Sequence, residues 1–409
     1  MSVQAANLIA RSAILSTASL VLVMLAASFA SAQGGRPFAQ PLFDPPNYAR
    51  FDNCRPVPLA WGDSPFYDFG NCGNGDCGPQ CEENGVNGPA ALVVHRPNLW
   101  YATVDFAPMM YDPNTGVTFA RVGPTGPPVL SEGSQEYEFD AGGEFTLGLR
   151  FADRWRVEGT YLGSYQWQDT AVATDTTNPN DIGGIGNLST LLSNFNDPAV
   201  AGLDYNSQVT VDTRASLESA EINFRYRVDM PAGPFDVHLL FGGKYLSTGE
   251  NLDFTSIADS PGPDGAINNV VVDTRNELWG MQLGFATNWM VSPRFFLETD
   301  LRGALCMNDA SQTTVYTNTD ENSAVTVFNT GAVQDRTSFT GDLAIIGNWQ
   351  VTPYLVFRAG YQASLVTGLA LASENLQTNN TLLRNGPGVL VDTGELVYHG
   401  PVVGFTIMR

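Results

Sequence analysis

Two consecutive stretches of this chain alternate between apolar and charged or polar side chains, within EYEFDAGGEFTLGLRFADRWRVEGTYLGSYQW (136–167). Every second position from 137 to 151 is aromatic, aliphatic or glycine, and the same holds from 155 to 167. The positions between them carry residues such as Glu144, Arg150, Arg156 and Glu158. Because successive side chains of a β-strand point to opposite faces, the pattern predicts two long strands, each with an apolar and an ionic face.

The same alternation recurs along the chain and predicts ten strands, or twelve if a long loop contains a further hairpin. The other eight strands lie near 98–106, 214–229, 235–245, 279–289, 295–305, 339–349, 355–365 and 395–409. Short turns are expected near 152, 231, 292 and 352, and long polar loops near 110–133, 169–208, 251–270, 310–335 and 371–393. An even number of strands with short turns at one end and long loops at the other is typical of an outer-membrane barrel.

A soluble β-sandwich also alternates, but the length and purity of these strands favour a membrane barrel. Soluble strands usually have about 5–6 residues, whereas a tilted membrane strand needs about 9–11. The apolar faces carry no charge at their centres, where Lys or Arg would cost about 2–4 kcal/mol in lipid. Since lipid leaves no backbone group free to bond with water, strands span it only as a closed ring. We therefore predict an all-β fold, a closed antiparallel transmembrane β-barrel with short periplasmic turns and long extracellular loops.

Tryptophans mark both ends of the apolar faces. Trp155 and Trp167 are twelve residues apart on one predicted face, and Trp279 and Trp289 are ten apart. At about 3.3 Å per residue and a tilt near 40°, these separations come to roughly 25–30 Å, the height of a lipid-facing band between aromatic girdles. The predicted lipid-interface girdle consists of Trp100, Trp155, Trp167, Trp279, Trp289 and Trp349.

The first 32 residues have the parts of a cleaved signal peptide. Arg11 precedes the apolar run AILSTASLVLVMLAASF, and ASA at 30–32 fits the small-residue cleavage rule. An uncleaved membrane anchor is the alternative. We therefore predict export to the cell outer membrane, with 33–98 as an irregular periplasmic segment and 99–409 as the barrel.

Four cysteines cluster before the predicted barrel: Cys54, Cys72, Cys77 and Cys81. In an exported protein such a cluster predicts two disulfides, whose pairing the sequence leaves open. A zinc site is the alternative, but no histidine lies among these cysteines. The fifth cysteine, Cys306, stands apart.

The charge balance excludes one class of partner. The chain has 42 acidic and 20 basic residues and a net charge of −22, so it lacks the basic surface that nucleic acid requires. The expected partners are outer-membrane lipid and the envelope assembly machinery, with small solutes or surface ligands as further candidates. No cofactor or metal is expected, since DSPGPDG (259–265) lacks the ligand spacing of a calcium loop.

Several segments together resemble a known family. They include AGGEFTLGLRFADRWRVEGTYLGSYQW, SAEINFRYRV, FGGKYLSTGENLDF, GDLAIIGNWQVTPYLVFRAGYQASLV and YHGPVVGF. In this order, over about 99–409, the chain is similar to the beta-barrel porin-7 family of planctomycete bacteria. The resemblance implies an outer-membrane barrel and, from the family's name, a porin. It supplies no catalytic residues.

The predicted interior favours a narrow passage or none. Barrels of about eight strands are filled by side chains, and open aqueous channels have about 16–18. Inward charges of both signs are expected to pair, because an isolated buried charge is costly. We therefore expect a porin of limited permeability to small solutes or, alternatively, a non-conducting structural or adhesive surface barrel acting through its loops. The predicted lumen residues are Arg150, Arg156, Glu158, Arg225, Arg227, Asp236, Glu298, Asp300, Arg302, Asp342 and Arg358.

An enzyme is not expected. The chain has three histidines, His95, His238 and His399, and the strand pattern places none of them beside a rim Asp or Ser. A hydrogen-bonded interior histidine is the simpler interpretation of His238.

Overall fold

The computed structural model describes most of the chain from Leu99 onwards. The described residues are 99–113, 116–152, 154–175, 186–197, 200, 203–229, 234–258, 266–320 and 322–409. The predicted signal peptide at 1–32, the segment 33–98 and the disulfide candidates Cys54, Cys72, Cys77 and Cys81 lie outside them. Cys306 lies inside them and is a free, buried thiol.

The described residues form mainly β-strands. The strands are β1 (Trp100–Phe106), β2 (Met110–Pro113), β3 (Thr118–Val122), β4 (Pro128–Ser131), β5 (Gly143–Ala152), β6 (Trp155–Thr174), β7 (Leu188–Thr190), β8 (Asn206–Val228), β9 (Phe235–Ala258), β10 (Ile267–Ser292), β11 (Phe295–Thr319), β12 (Val325–Thr352), β13 (Leu355–Leu369) and β14 (Gly394–Met408). A short helix α1 (Asn380–Asn385) and two 3₁₀ turns, Glu132–Ser134 and Leu191–Ser193, complete the secondary structure. No helix in this part of the chain is long and apolar enough to cross a membrane.

The long strands and β1 pair antiparallel into a closed ring. Around the ring the order is β1, β5, β6, β8, β9, β10, β11, β12, β13 and β14. β14 then pairs with β1 from Tyr101↔Met408 to Phe106↔Val403, which closes the sheet. Closure removes the free edges that an open sheet would expose. The predicted all-β fold with a closed antiparallel sheet is confirmed.

The two ends of the ring differ as predicted. Tight turns join β5 to β6, β10 to β11 and β12 to β13, and a register shift accompanies each turn. We call this the short-turn end. At the opposite, long-loop end, β2 pairs with β14, and the β3–β4 hairpin is joined through β7 to β8.

Several strands are much longer than predicted. β9 continues to Ala258, β10 begins at Ile267, β11 continues to Thr319 and β12 begins at Val325, so the loops predicted at 251–270 and 310–335 are mostly strand. The loop prediction was wrong because most outward positions of β9 to β11 there are polar, while their apolar positions face inward; β12 differs, since Val325, Val327 and Val333 are exposed on its outward face. We call the strand ends beyond the row that contains Leu246 and Leu278 the extension; it comprises 165–174, 206–218, 247–258, 267–277, 309–319 and 325–335.

The polarity of the wall inverts along single strands. In β10, even-numbered residues face inward throughout and odd-numbered ones face outward. Near the short-turn end, the outward positions include Met281 and Leu283, both more than two-thirds exposed. In the extension, the inward positions include Val270 and Val272, which are fully buried, and the outward positions include Asp273. β10 is therefore apolar on its outward face at one level and apolar on its inward face at the next.

Side chains fill the extension and its junction with the ring. One buried apolar cluster contains Tyr111, Tyr165, Trp167, Leu246 and Tyr398. A second, within the extension, is built from residues of the wall, of the loops and of α1: Phe119, Leu130, Leu192, Leu203, Val209, Val211, Leu252, Phe254, Val270, Tyr316 and Leu383 are among its members. The long-loop end is thus closed by a packed core.

Candidate functional site: the ionic interior of the ring

Charged residues on the inward faces of the ring meet in a network around Glu221. The Glu221 carboxylate lies 3.2 Å from the Lys244 ammonium and accepts hydrogen bonds from Arg302 and from Gln282, the latter at 3.0 Å. The Lys244 Nζ also lies 2.6 Å from the Asp342 carboxylate. One carboxylate therefore holds two cations, and one of these cations holds a second carboxylate.

A second part of the network is built on Arg225. The guanidinium of Arg225 lies 2.5 Å from Glu158 and 2.8 Å from Asp300. Asp300 also lies 3.1 Å from Arg302, which joins this part to the first. The Tyr101 hydroxyl donates a hydrogen bond to Glu158. Such charge-assisted bonds are stronger than neutral ones, and both oxygens of a buried carboxylate need partners.

Two further groups of charges complete the interior. Arg358 lies 3.7 Å from both Asp105 and Glu298. Nearer the short-turn end, the Asp236 carboxylate lies 3.1 Å from Arg227 and 3.0 Å from the His238 ring. Arg156 belongs to the same group, since its Nη2 lies 3.0 Å from His238 Nε2.

The ion pairs cross the interior instead of running along one strand pair. Lys244 of β9 meets Asp342 of β12, and Arg302 of β11 meets Glu221 of β8. In each case two strands of the ring lie between the partners. The pairs therefore bridge walls that are not neighbours.

Little free space remains among these side chains. Two cavities of about 40 and 50 Å³ lie in the network, and Glu144 and Arg302 line both. A water molecule needs roughly 10–15 Å³ of such space, so each cavity has room for a few waters. Neither is large enough for an organic solute.

The structure brings ten of the eleven predicted lumen residues into this network. They are Arg156, Glu158, Arg225, Arg227, Asp236, Glu298, Asp300, Arg302, Asp342 and Arg358. Arg150 lies near the end of β5, where its Nε donates to the carbonyl oxygen of Ala152 at 3.4 Å. Its place at the short-turn end puts it at the rim of the interior.

Several members of the network were not predicted as lumen residues. Asp105 alternates with Val104 and Phe106 in β1, so the strand pattern alone could have identified it. Glu221 and Lys244, by contrast, lie on faces that the strand pattern predicts to be inward, and the structure places both in the network. Tyr101 shares the inward face of Asp105 in the same alternation, although an aromatic residue near the end of a strand also suits a lipid-facing position.

Five of the six predicted girdle tryptophans have exposed or half-buried side chains. Trp100, Trp279, Trp289 and Trp349 are exposed on the outer surface, and Trp155 packs against Tyr226 with ring centroids 4.8 Å apart. Trp279 similarly packs on Tyr245 at 4.3 Å.

Trp167 contradicts the girdle prediction. Its side chain is 3% exposed and lies inside the wall, where its Nε1 donates to the Met109 carbonyl oxygen at 2.9 Å. The cause is a register shift in β6 between Leu162 and Tyr165. A bulge adds one residue to a strand and moves the following side chains to the opposite face. Tyr161 therefore faces outward, whereas Tyr165 and Trp167 stack in the interior with centroids 5.4 Å apart.

Comparison with known proteins gives only distant likenesses. No family model and no curated protein matches the chain. Among solved structures, it is similar to the outer membrane protease OmpT from Escherichia coli, with a TM-score of 0.43 and 9% identity over 76% of this chain and 97% of that one. It is also similar to the toluene transporter TodX of P. putida, with a TM-score of 0.30 and 9% identity over 76% of this chain and 89% of that one. Because both TM-scores are below 0.5, these likenesses carry no argument about function.

Proposed function

We propose that the chain is an outer-membrane β-barrel that crosses the membrane ten times, conducts no solutes and carries an ordered extension at the cell surface. The observation that carries this proposal is the network of ion pairs that joins non-neighbouring walls of the ring. The packed apolar clusters at the long-loop end support it, since they close the same interior a second time.

The membrane placement is supported by the outer surface of the ring. Large apolar side chains such as Ile222, Met281, Leu283 and Leu305 are more than half exposed there. A contiguous apolar surface of this kind is costly in water and indicates a surface covered by lipid. The inward charges also argue against a soluble sandwich, because the inner faces of a sandwich are apolar.

The number of crossings follows from where the additional strands lie. A twelve-stranded barrel would need a further hairpin inserted in the ring. The β3–β4 hairpin instead pairs through β7 with the outer end of β8, and β2 pairs only with the start of β14. By the usual orientation of such barrels, the short-turn end faces the periplasm and the extension faces outward.

Quenching of tryptophan fluorescence by lipid tests which tryptophan side chains face the bilayer. In bilayers brominated on the acyl chains, a variant that keeps only Trp279 should show strong fluorescence quenching. A matched variant that keeps only Trp167 should show little, because the wall shields its indole from lipid. Equal quenching of the two variants would contradict the bulge and the inward position of Trp167.

Histidine placement supports a non-catalytic barrel. His238 is buried between Asp236 and Arg156, so no substrate reaches it without disrupting the network. His399 Nδ1 lies 2.6 Å from the Tyr361 hydroxyl on the outer face of the ring. Among the described residues, no His, Cys, Asp and Glu side chains form a group of three suited to a metal ion.

The surface role is proposed from the extension. Its interior is packed and most of its outward positions are polar, apart from exposed valines such as Val327 and Val333 of β12, so it forms a stable platform from which the loops project. Outer-membrane lipid and the envelope assembly machinery are the partners that any such barrel requires. Surface ligands would bind to the extension and its loops.

Planar-bilayer recording tests the closed interior. The purified, refolded protein should give no steady current steps, even at a protein load at which a porin of about 16 strands conducts. Such a porin, inserted into the same lipid, is the positive control. Reproducible unit steps would instead support a porin of limited permeability and contradict the closed barrel.

A further inference from the structure

A polar cleft of about 730 Å³ lies on the outward face of the extension. Outward residues of β6, β8, β9, β10 and β11 line it. We call it the outer cleft and define it by Gln168, Arg214, Ser216, Gly249, Arg275 and Ser311. Its volume is within the range of about 300–1,000 Å³ that is typical of small-molecule sites.

The cleft exists because three of four neighbouring residues in one row of the sheet, Ser216, Gly249 and Ser311, are small. Ser216 pairs with Gly249, Gly249 with Arg275, and Arg275 with Ser311. The serines and the glycine form a low floor, and longer side chains stand around it. The next row outward contains Gln168 and Arg214, so the floor has a wall on that side.

The position of the cleft relative to the apolar surface indicates which layer of the bilayer it contacts. The tilted ring pair Tyr245 and Trp279 lies at the outer limit of the exposed apolar side chains around Met281 and Leu283. Arg275 is four residues beyond Trp279 along β10. At about 3.3 Å per residue and a tilt near 40°, the floor lies roughly 10 Å beyond the aromatic girdle. The polar headgroup layer is about 5–8 Å thick on each side of the hydrocarbon, so the floor lies just beyond it, at a height that the sugar rings of a glycolipid reach.

The charges of the cleft favour a neutral ligand. Arg214 and Arg275 are opposed by Glu218 and Asp273, which also line the cleft. Each arginine already has a carboxylate partner on its own strand, and the Arg275–Glu277 distance is 2.6 Å. A phosphate would meet these carboxylates, and a metal cation would meet the guanidinium groups. The cleft therefore favours neither an anionic nor a cationic ligand.

We propose that the outer cleft binds the neutral saccharide headgroup of a glycolipid in the outer leaflet. A sugar hydroxyl both donates and accepts hydrogen bonds, and the cleft offers both functions: guanidinium donors, carboxylate acceptors, and amides and hydroxyls that do both. The acyl chains of the same lipid would lie against the apolar surface below. The inference rests on the proposed membrane placement and adds a ligand to it.

Lipid retention by native mass spectrometry tests the proposal. The full-length protein is inserted into phosphatidylcholine nanodiscs containing either digalactosyldiacylglycerol or phosphatidylglycerol and then extracted into detergent. We expect the galactolipid to remain bound at least about tenfold more than phosphatidylglycerol, a difference of about 1.4 kcal/mol in binding free energy. Ser216→Trp, which fills the floor, and Arg275→Ala, which removes part of the wall, should each abolish this preference.

Asn329→Trp is the matched control, because it adds the same side chain at an exposed position of β12 outside the cleft. It should keep the preference. Stronger retention of phosphatidylglycerol would overturn the saccharide assignment, and equal loss in both tryptophan variants would overturn the location. If free digalactose bound as tightly as the lipid, the source would be a soluble sugar and the glycolipid would be wrong. Failure to insert into nanodiscs would reject the membrane placement itself, whereas insertion without galactolipid retention rejects only this inference.

Discussion

Replacing Glu221 by glutamine should lower the free energy of unfolding by about 3–5 kcal/mol, because removing one member of a buried ion pair leaves uncompensated charge. Glu221 is the carboxylate shared by Lys244 and Arg302, and its side chain is 7% exposed. Glutamine keeps the shape but loses the charge, so both cations would retain only their second partners. The measurement is urea-induced unfolding of the barrel from phosphatidylcholine vesicles, followed by tryptophan fluorescence.

Glu277→Gln is the matched control for this substitution. Glu277 pairs with Arg275 at 2.6 Å on the exposed face of the extension, where a surface ion pair contributes about 0–1 kcal/mol. The double variant Glu221→Gln, Lys244→Met should recover part of the loss, because it removes charge of both signs. A loss at Glu221 no larger than that at Glu277 would show that the interior is hydrated and that the closed network is wrong.

Introducing arginine at Leu283 should cost about 2–4 kcal/mol of folding free energy in a bilayer, the cost of a cation near the midplane on a lipid-facing surface. Leu283 lies between Trp279 and Trp289 on the outward face of β10 and is 70% exposed. Exposure of this degree would make the same substitution nearly neutral in water. The substitution therefore separates lipid from water as the medium around the ring.

Asn329→Arg provides the comparison on the same molecule. It lies on the outward face of the extension, where the proposal places water, and its cost should stay within about 0.5 kcal/mol. Unfolding from vesicles of phosphatidylcholine gives both values under identical conditions. Two equally small effects would mean that the exposed apolar surface does not contact lipid, and the membrane placement would then fail.

The polarity inversion explains which loops were predicted wrongly. Period-2 alternation continues through β9 to β11 without a break, but the apolar positions move from the outward to the inward face, whereas β12 keeps exposed valines on its outward face. A continuous apolar outward face therefore ends at about Leu246 in β9 and Leu278 in β10, where the inversion begins. Beyond that point, Thr, Asn and Asp at the outward positions resemble loop composition, although the inward positions are those of a packed core.

The position of Trp167 shows that residue spacing alone does not determine which face of a strand a side chain occupies. Its distance from Trp155 in sequence matches the height of a lipid-facing band, and the uninterrupted alternation gives no sign of a change of face. The register shift next to Tyr165 depends on how β6 pairs with β8. Pairing is a property of two strands, so no single-strand pattern determines it.

The alternation of residue types predicts the all-β class, the ring strands, the short turns and most of the inward charges, because the faces of a strand follow from a period of two. The pairing of strands in the closed sheet sets which charges meet across the ring, where β6 changes face, how far the strands extend and where the outer cleft forms. These features depend on register and on contacts between strands distant in sequence, such as β8 with β11 and β9 with β12. The distances between strands that are far apart in the sequence are set only when the sheet closes.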